Sequence, residues 1–151
     1  MILVVFDTIV LRLFLGYGYP RHYKEDNIKR FPAPYVMFTG KPNIRDHNEF
    51  GFRGASFKDA DSNDLRIAFF GGSSGYNGNP SIAKVVEKEL NKITNVDVFV
   101  ANYSVTSSNH RQHLHGIIEY LPKYRPDIVI FYGGYNELIV TGKYDPRPGY
   151  S

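Results

Sequence analysis

At 151 residues, with 42% hydrophobic and 22% charged, the chain has material for one globular domain with its own core, a balance that excludes a disordered segment or a fibre. The formal net charge of +3 comes from Lys and Arg scattered among acids, which makes no nucleic-acid footprint. With no cysteine in the chain, disulfides, Cys-based zinc sites and a thiol nucleophile are excluded.

Residues 1–15, MILVVFDTIVLRLFL, are apolar except for Asp7, Thr8 and Arg12, and they run into Gly-Tyr-Gly-Tyr-Pro. A spanning helix needs about 20 largely apolar residues, and no signal-peptide cleavage pattern follows this stretch. Three readings fit residues 1–18: an amphipathic helix packed on the domain, the tail of a membrane anchor, or a start placed inside a longer anchor. The last two imply membrane association through the N-terminus and an extracytoplasmic or membrane-associated location.

Residues 19–64 form an irregular lead-in with Pro20, Pro32, Pro34 and Pro42, many aromatics, and one expected strand at 35–39. The run Asn-Glu-Phe-Gly-Phe-Arg-Gly at 48–54 reads as a tight turn, and residues 57–65 as a polar linker. A stretch without periodicity makes no core of its own, so its aromatics are expected to anchor it around the unit that follows.

Residues 65–151 turn regular. Strands are expected at 66–70, 96–101 and 127–132, each ending in a polar, glycine-rich or Asn-rich turn. A helix over 80–93 places Ile82, Val85, Val86, Leu90 and Ile93 at helical spacing. A second, from 108 or 109 to 120, has Leu114, Ile117, Ile118 and Leu121 on one apolar face, with Pro122 and Pro126 punctuating its exit. Strands alternating with helices imply an α/β fold whose parallel sheet has right-handed crossovers and spatial order second, first, third. This is an incomplete three-layer α/β/α, flavodoxin-like arrangement, with the third strand at a raw edge exposing Ile128, Ile130 or their alternates.

All the polar turns then fall on the carboxyl edge of the sheet, where open α/β folds bind ligands. That edge gathers Ser73 and Ser74, then Asn102, Ser104, Ser107 and Ser108, then Asn136 and Glu137. A serine hydroxyl beside backbone N–H groups and an Asn amide can attack a carbonyl and hold the charge that develops on its oxygen. Each residue also has a plainer use: Ser73 and Ser74 as helix caps, Asn136 as a turn residue, Glu137 as a carboxylate in a helix first turn. His110, His113 and His115 lie near this edge, with His110 and His113 on one helix face. A neutral imidazole within reach of Ser73 is a competent base, and a solvated or capping role is the plainer alternative. No metal site is implied, because the third histidine of His-x-x-His-x-His points elsewhere; His22 and His47 support no specific role. The glycines match neither the dinucleotide fingerprint nor a phosphate-binding P-loop, so no cofactor is implied. A non-catalytic module whose glycine-rich turn holds an anion or a sugar is the competing class.

Gly71-Gly72-Ser73 after the first strand, Asn102-Tyr103-Ser104-Val105 after the second and Gly134-Tyr135-Asn136-Glu137 after the third resemble blocks one to three of the SGNH (GDSL-type) hydrolase superfamily. The run at 48–54 resembles the element that precedes block one in membrane-associated members. The resemblance implies that Ser73, rather than Ser74, is the nucleophile and faces the crevice. It makes Asn136 a side-chain oxyanion donor and adds the backbone N–H groups of Ser73 and Ser104. It implies a serine esterase, or an O-acyltransferase of the same fold, acting without cofactor on small acyl esters of a carbohydrate or lipid. The chain departs from the family pattern in having Gly72 for the Asp of Gly-Asp-Ser and Ser104 for the block-two glycine. No Asp-x-x-His follows Asn136, so the resemblance implies a chain truncated before that block and inactive, or nearly so, as it stands.

Overall fold

The computed structural model describes residues 28–139. The apolar stretch at 1–18, His22 and residues 140–151 lie outside the described residues. Among the described residues no helix is long and apolar enough to cross a membrane.

Seven residues of near-continuous apolar character make β3 (Leu65–Gly71), the centre of a three-stranded parallel sheet of order β4-β3-β5, with β4 at Val98–Asn102 and β5 at Ile128–Tyr132. The order and direction are those expected from the strand and helix alternation. Ile67 lies opposite Val100 on one side and Ile128 on the other, and Gly71 reaches Tyr132.

Alternation along β3 divides the core in two. Ile67 and Phe69 face Val98 and Val100 and the inner side of α2 (Ile82–Ile93), where Ile82, Ala83, Val86 and Leu90 pack. Ala68 and Phe70 face the opposite way, onto Ala101, Tyr103 and the Ile117, Tyr120, Leu121 and Tyr124 side of α3 (His110–Tyr124). The sheet is therefore flanked by helices on both faces. Fully burying side chains the size of Ile67, Phe69 and Phe70 stabilises by about 1.5–3 kcal/mol each.

The lead-in joins the second of these cores, with Phe52 and Phe57 buried against Ala68, Tyr103 and Tyr124. The expected strand at 35–39 is shorter, β2 (Met37–Thr39), and pairs antiparallel with β1 (Phe31–Ala33), which the prolines at 32 and 34 concealed. Helix α2 starts at Ile82 because Ser81 caps it, its hydroxyl accepting from the Lys84 N–H; Val85 and Ile93 are exposed rather than buried.

The buried face of α3 also departs from the apolar face seen in the sequence. Leu114 and Ile118 are 54% and 63% exposed, while Gln112, His113, Gly116 and Tyr124 are buried. Two features set that phase. Asn109 and Gln112 form a reciprocal capping box (2.9 and 3.0 Å). Gly116 lets the helix approach β3 so closely that a Cβ there would stand 2.9 Å from Phe70 Cε1. The helix also continues through Pro122 to Tyr124. Proline removes one intrahelical donor, and the carbonyl it would have bonded belongs to the solvent-exposed Ile118. The helix ends where Arg125 takes a left-handed conformation (φ 42°) and donates to Leu121 O at 2.7 Å.

The two outer strands are finished differently. On β4, Val98 exchanges two hydrogen bonds with the Asn91 side chain (2.8 and 2.9 Å), and the Val100 N–H donates to Glu87 Oε2 at 3.0 Å. Among the described residues no side chain does this for β5, where Ile128, Phe131 and Tyr132 are all more than two-fifths exposed and Ile130 turns inward to the α2 core.

Phe70 is 1% exposed and touches α3, Tyr103 and Phe131. Phe70→Ala is expected to cost about 3–5 kcal/mol, read as a fall in the urea midpoint with the slope of the transition unchanged.

Candidate functional site

β3 stops at Gly71, and Gly72 turns the chain into α1 (Ser73–Tyr76), a single helical turn closed by Tyr76 N–H to Gly72 O (3.0 Å) and Asn77 N–H to Ser73 O (2.9 Å). No side chain caps this turn, so neither Ser73 nor Ser74 serves as the cap allowed for above. Ser73 is half-buried and Ser74 exposed. Both open onto a cleft of about 220 Å³ whose other walls are Gly72, Tyr132, Gly133, Tyr135 and Asn136.

The glycines of the turn are there for proximity. A Cβ on Gly72 would lie 2.5 Å from Asn136 Nδ2, and one on Gly75 would lie 2.3 Å from Ser104 Oγ. The place where the family resemblance leads one to look for an Asp is thus filled from across the crevice by the Asn136 amide. Asn136 belongs to α4 (Tyr135–Ile139), and its amide nitrogen also donates to Ser108 O at 2.7 Å, which fixes its direction.

The structure brings Ser73 and Asn136 together and leaves Ser104 outside. Ser104 is fully buried and is no part of the cleft wall. Its N–H donates to Asn102 Oδ1 at 3.0 Å, and its hydroxyl, wedged against Gly71 and Gly75, has no partner among the described residues. Asn102 in turn donates to Gly75 O at 3.2 Å, tying the turn after β4 to α1. The Ser104 N–H assigned to an oxyanion hole by the resemblance is taken up inside this bridge.

The lead-in contributes residues that sequence reasoning missed. Asn48 Oδ1 accepts from the N–H groups of Phe50 and Phe52 (3.0 and 3.1 Å), shaping the expected tight turn. That turn presents Arg53, which pairs with Asp46 and donates to Tyr76 O (2.9 Å) and Gly78 O (2.5 Å). His47 holds the same tyrosine by its other end. A carbonyl only accepts, so His47 Nδ1–H donates to Lys41 O (3.0 Å) and Nε2 accepts from the Tyr76 hydroxyl (2.7 Å). Burial, and then Asp46, raises the pKa of that hydroxyl. The run at 48–54 was the one available signal; nothing in sequence spacing marked Tyr76.

Of the histidines on α3, His113 is buried with Nε2 2.8 Å from Ser108 Oγ. The Ser108 hydroxyl also faces Val105 O (2.8 Å) and Gly71 O (3.0 Å). With two carbonyls needing its single proton, it accepts from His113 Nε2–H. Ser108 and His113 are therefore no nucleophile and base pair. Burial, reinforced by His110, lowers the His113 pKa to about 4, so the solvated or capping role allowed for it does not hold. His110 is exposed at the start of α3; its N–H donates to Glu137 Oε1 at 2.5 Å, and its Nδ1 is 3.7 Å from the same oxygen. His115 stacks on Tyr35 of the β1–β2 turn. Among the described residues no group of His, Asp and Glu is placed to hold a metal ion.

What stands at this edge is a parallel α/β sheet carrying a glycine-serine turn against an asparagine amide. A comparison with known protein families finds no match for the chain, and a comparison with characterised proteins finds none either.

Two outcomes follow. Arg53→Ala removes donors from Tyr76 O and Gly78 O, a loss of about 1–3 kcal/mol, and amide hydrogen exchange is expected to quicken at Tyr76 and Asn77 while β3 keeps its protection. For His113, the folded pKa lies below the unfolded value of 6.5, so the unfolded chain binds the extra proton between about pH 4 and 6.5. Stability is then full above pH 6.5 and lost as pH falls toward 4. His113→Gln is expected to flatten that acid limb by on the order of 3 kcal/mol, measured by urea unfolding at pH 4.5 and 7.5.

Proposed function

We propose that this chain carries the nucleophile and an oxyanion donor of a serine hydrolase of SGNH type on a flavodoxin-like sheet, acting on small ester-linked acyl groups. The observation that carries the reading is the meeting of Ser73 and Asn136 in one cleft at the carboxyl edge of a parallel sheet, with the Asn136 amide against the residue before Ser73. Ligands of open α/β sheets bind at that edge, at the strand-order switch beside β3.

In this reading the ester carbonyl lies over Ser73. As Ser73 Oγ bonds to the carbonyl carbon, the π electrons move onto oxygen, where the Asn136 amide and the Ser73 N–H stabilise them. A donor so placed is worth about 10²–10³-fold in rate. Because the Ser104 N–H is held by Asn102, this hole relies on Asn136 more heavily than the resemblance alone implies. Transfer of the acyl group to another hydroxyl passes through the same acyl-serine, so an O-acyltransferase uses the same residues.

A binding module for a small anion or sugar is the second reading, favoured by the occupied Ser104 N–H. The two part on covalent chemistry. A fluorophosphonate ester probe is expected to label the chain at Ser73, with Ser73→Ala abolishing labelling and Ser74→Ala retaining it. Asn136→Ala is expected to slow labelling by about 10²-fold. No labelling at Ser73 by mass spectrometry decides for the binding module.

A further inference from the structure

We propose that His110, oriented by Glu137, is the base that takes the Ser73 proton; this rests on the hydrolase reading above. The other described histidines are occupied elsewhere. His47 has both ring nitrogens in hydrogen bonds to the lead-in and Tyr76, His113 is buried with its N–H turned to Ser108, and His115 stacks against Tyr35.

His110 is different. Its side chain is 47% exposed, and its Nε2 stands over Gly133, 2.6 Å from where a Cβ would be. Gly133 is a wall of the cleft that holds Ser73 and Asn136. The glycine is what admits the imidazole so close to that wall. Glu137, next to Asn136 in sequence, places Oε1 2.5 Å from the His110 backbone nitrogen and 3.7 Å from its Nδ1. Glu137 Oε2 is buried without a hydrogen-bond partner among the described residues. The ring nitrogen nearest this carboxylate is His110 Nδ1, 3.7 Å from Oε1, and the negative charge there favours the tautomer with its proton on Nδ1. That tautomer leaves the Nε2 lone pair on the Gly133 side.

The proton inventory closes. The Ser73 Oγ–H proton passes to His110 Nε2 as Oγ bonds to the carbonyl carbon. Collapse of the tetrahedral intermediate expels the alcohol oxygen, which takes that proton. Water then gives a proton to Nε2 as its oxygen attacks the acyl-serine, and Ser73 recovers it as the carboxylic acid leaves. The charged and titratable groups facing the imidazole are Glu137 from α4 and His113 from its own helix.

The test is the rate of fluorophosphonate labelling of Ser73 in the full chain as a function of pH, beside the NMR titration of the His110 ring proton. The labelling midpoint is expected to coincide with the His110 titration. His110→Gln is expected to lower the rate by about 10²–10⁴-fold with the circular dichroism unchanged, and added imidazole to restore part of the rate in His110→Ala. Glu137→Gln is expected to lower the labelling rate with the circular dichroism unchanged, since the imidazole loses the carboxylate that orients it. Labelling at the wild-type rate in both His110 variants, or a midpoint that does not follow His110, overturns the assignment and leaves the hydrolase reading standing. No Ser73 labelling in the unaltered chain overturns both.

Discussion

The structure depends on close packing at the end of β3, where a Cβ on Gly71, Gly72 or Gly75 would stand 2.9, 2.5 or 2.3 Å from a neighbouring side-chain atom. Gly71, Gly72 and Gly75 line up along the turn, and Ser104 Oγ and the Asn136 amide fill the room their missing Cβ atoms leave. The hydroxyl meets Gly71 and Gly75, and the amide meets Gly72 across the crevice. At Gly75 the neighbour is a fully buried serine with nowhere to retreat, so a methyl group there strains the junction of β3, β4 and α1. At Gly72 the neighbour is the tip of a side chain, so a methyl group there would shift the asparagine and spare the fold. One turn thus holds a position that protects architecture and another that protects the cleft.

Around that turn the chain builds a clamp from its irregular half. Arg53 and His47 hold Tyr76 at its carbonyl and its hydroxyl, while Phe52 and Phe57 enter the core against Tyr103, with ring centroids 4.8 and 6.0 Å away. Hydrogen bonds of this kind contribute about 0.5–1.5 kcal/mol each and the buried rings more. The four-residue helix that carries Ser73 is too short to be stable by itself; its rigidity is supplied from the lead-in on one side and by Asn102 on the other.

The sheet was legible in the sequence because each strand is an apolar run that stops at a glycine or an asparagine, and the pairing order follows from parallel crossovers. Ser73 and Asn136 were legible for the same reason, since each opens the segment after a strand. The face of α3 was not: Leu114 and Ile118 make as good an apolar stripe as Ile117, Tyr120 and Tyr124, and the choice is made by Gly116 against Phe70 and by the cap at Asn109. The fate of the Ser104 N–H was hidden too, because it turns on which way the Asn102 side chain rotates. Contacts such as Arg53 to Tyr76, between a loop and a helix end 23 residues apart, leave no period to read.

The two margins of the sheet make it directional. On the β4 side, Glu87 and Asn91 of α2 occupy the backbone groups that a neighbouring strand would need. On the β5 side, no described residue occupies them. A strand arriving from anywhere, in the same polypeptide or a different one, meets a closed border on one flank and a template on the other. A strand pairing with this sheet would find its free backbone groups along β5, the strand that ends at Tyr132 in the wall of the cleft.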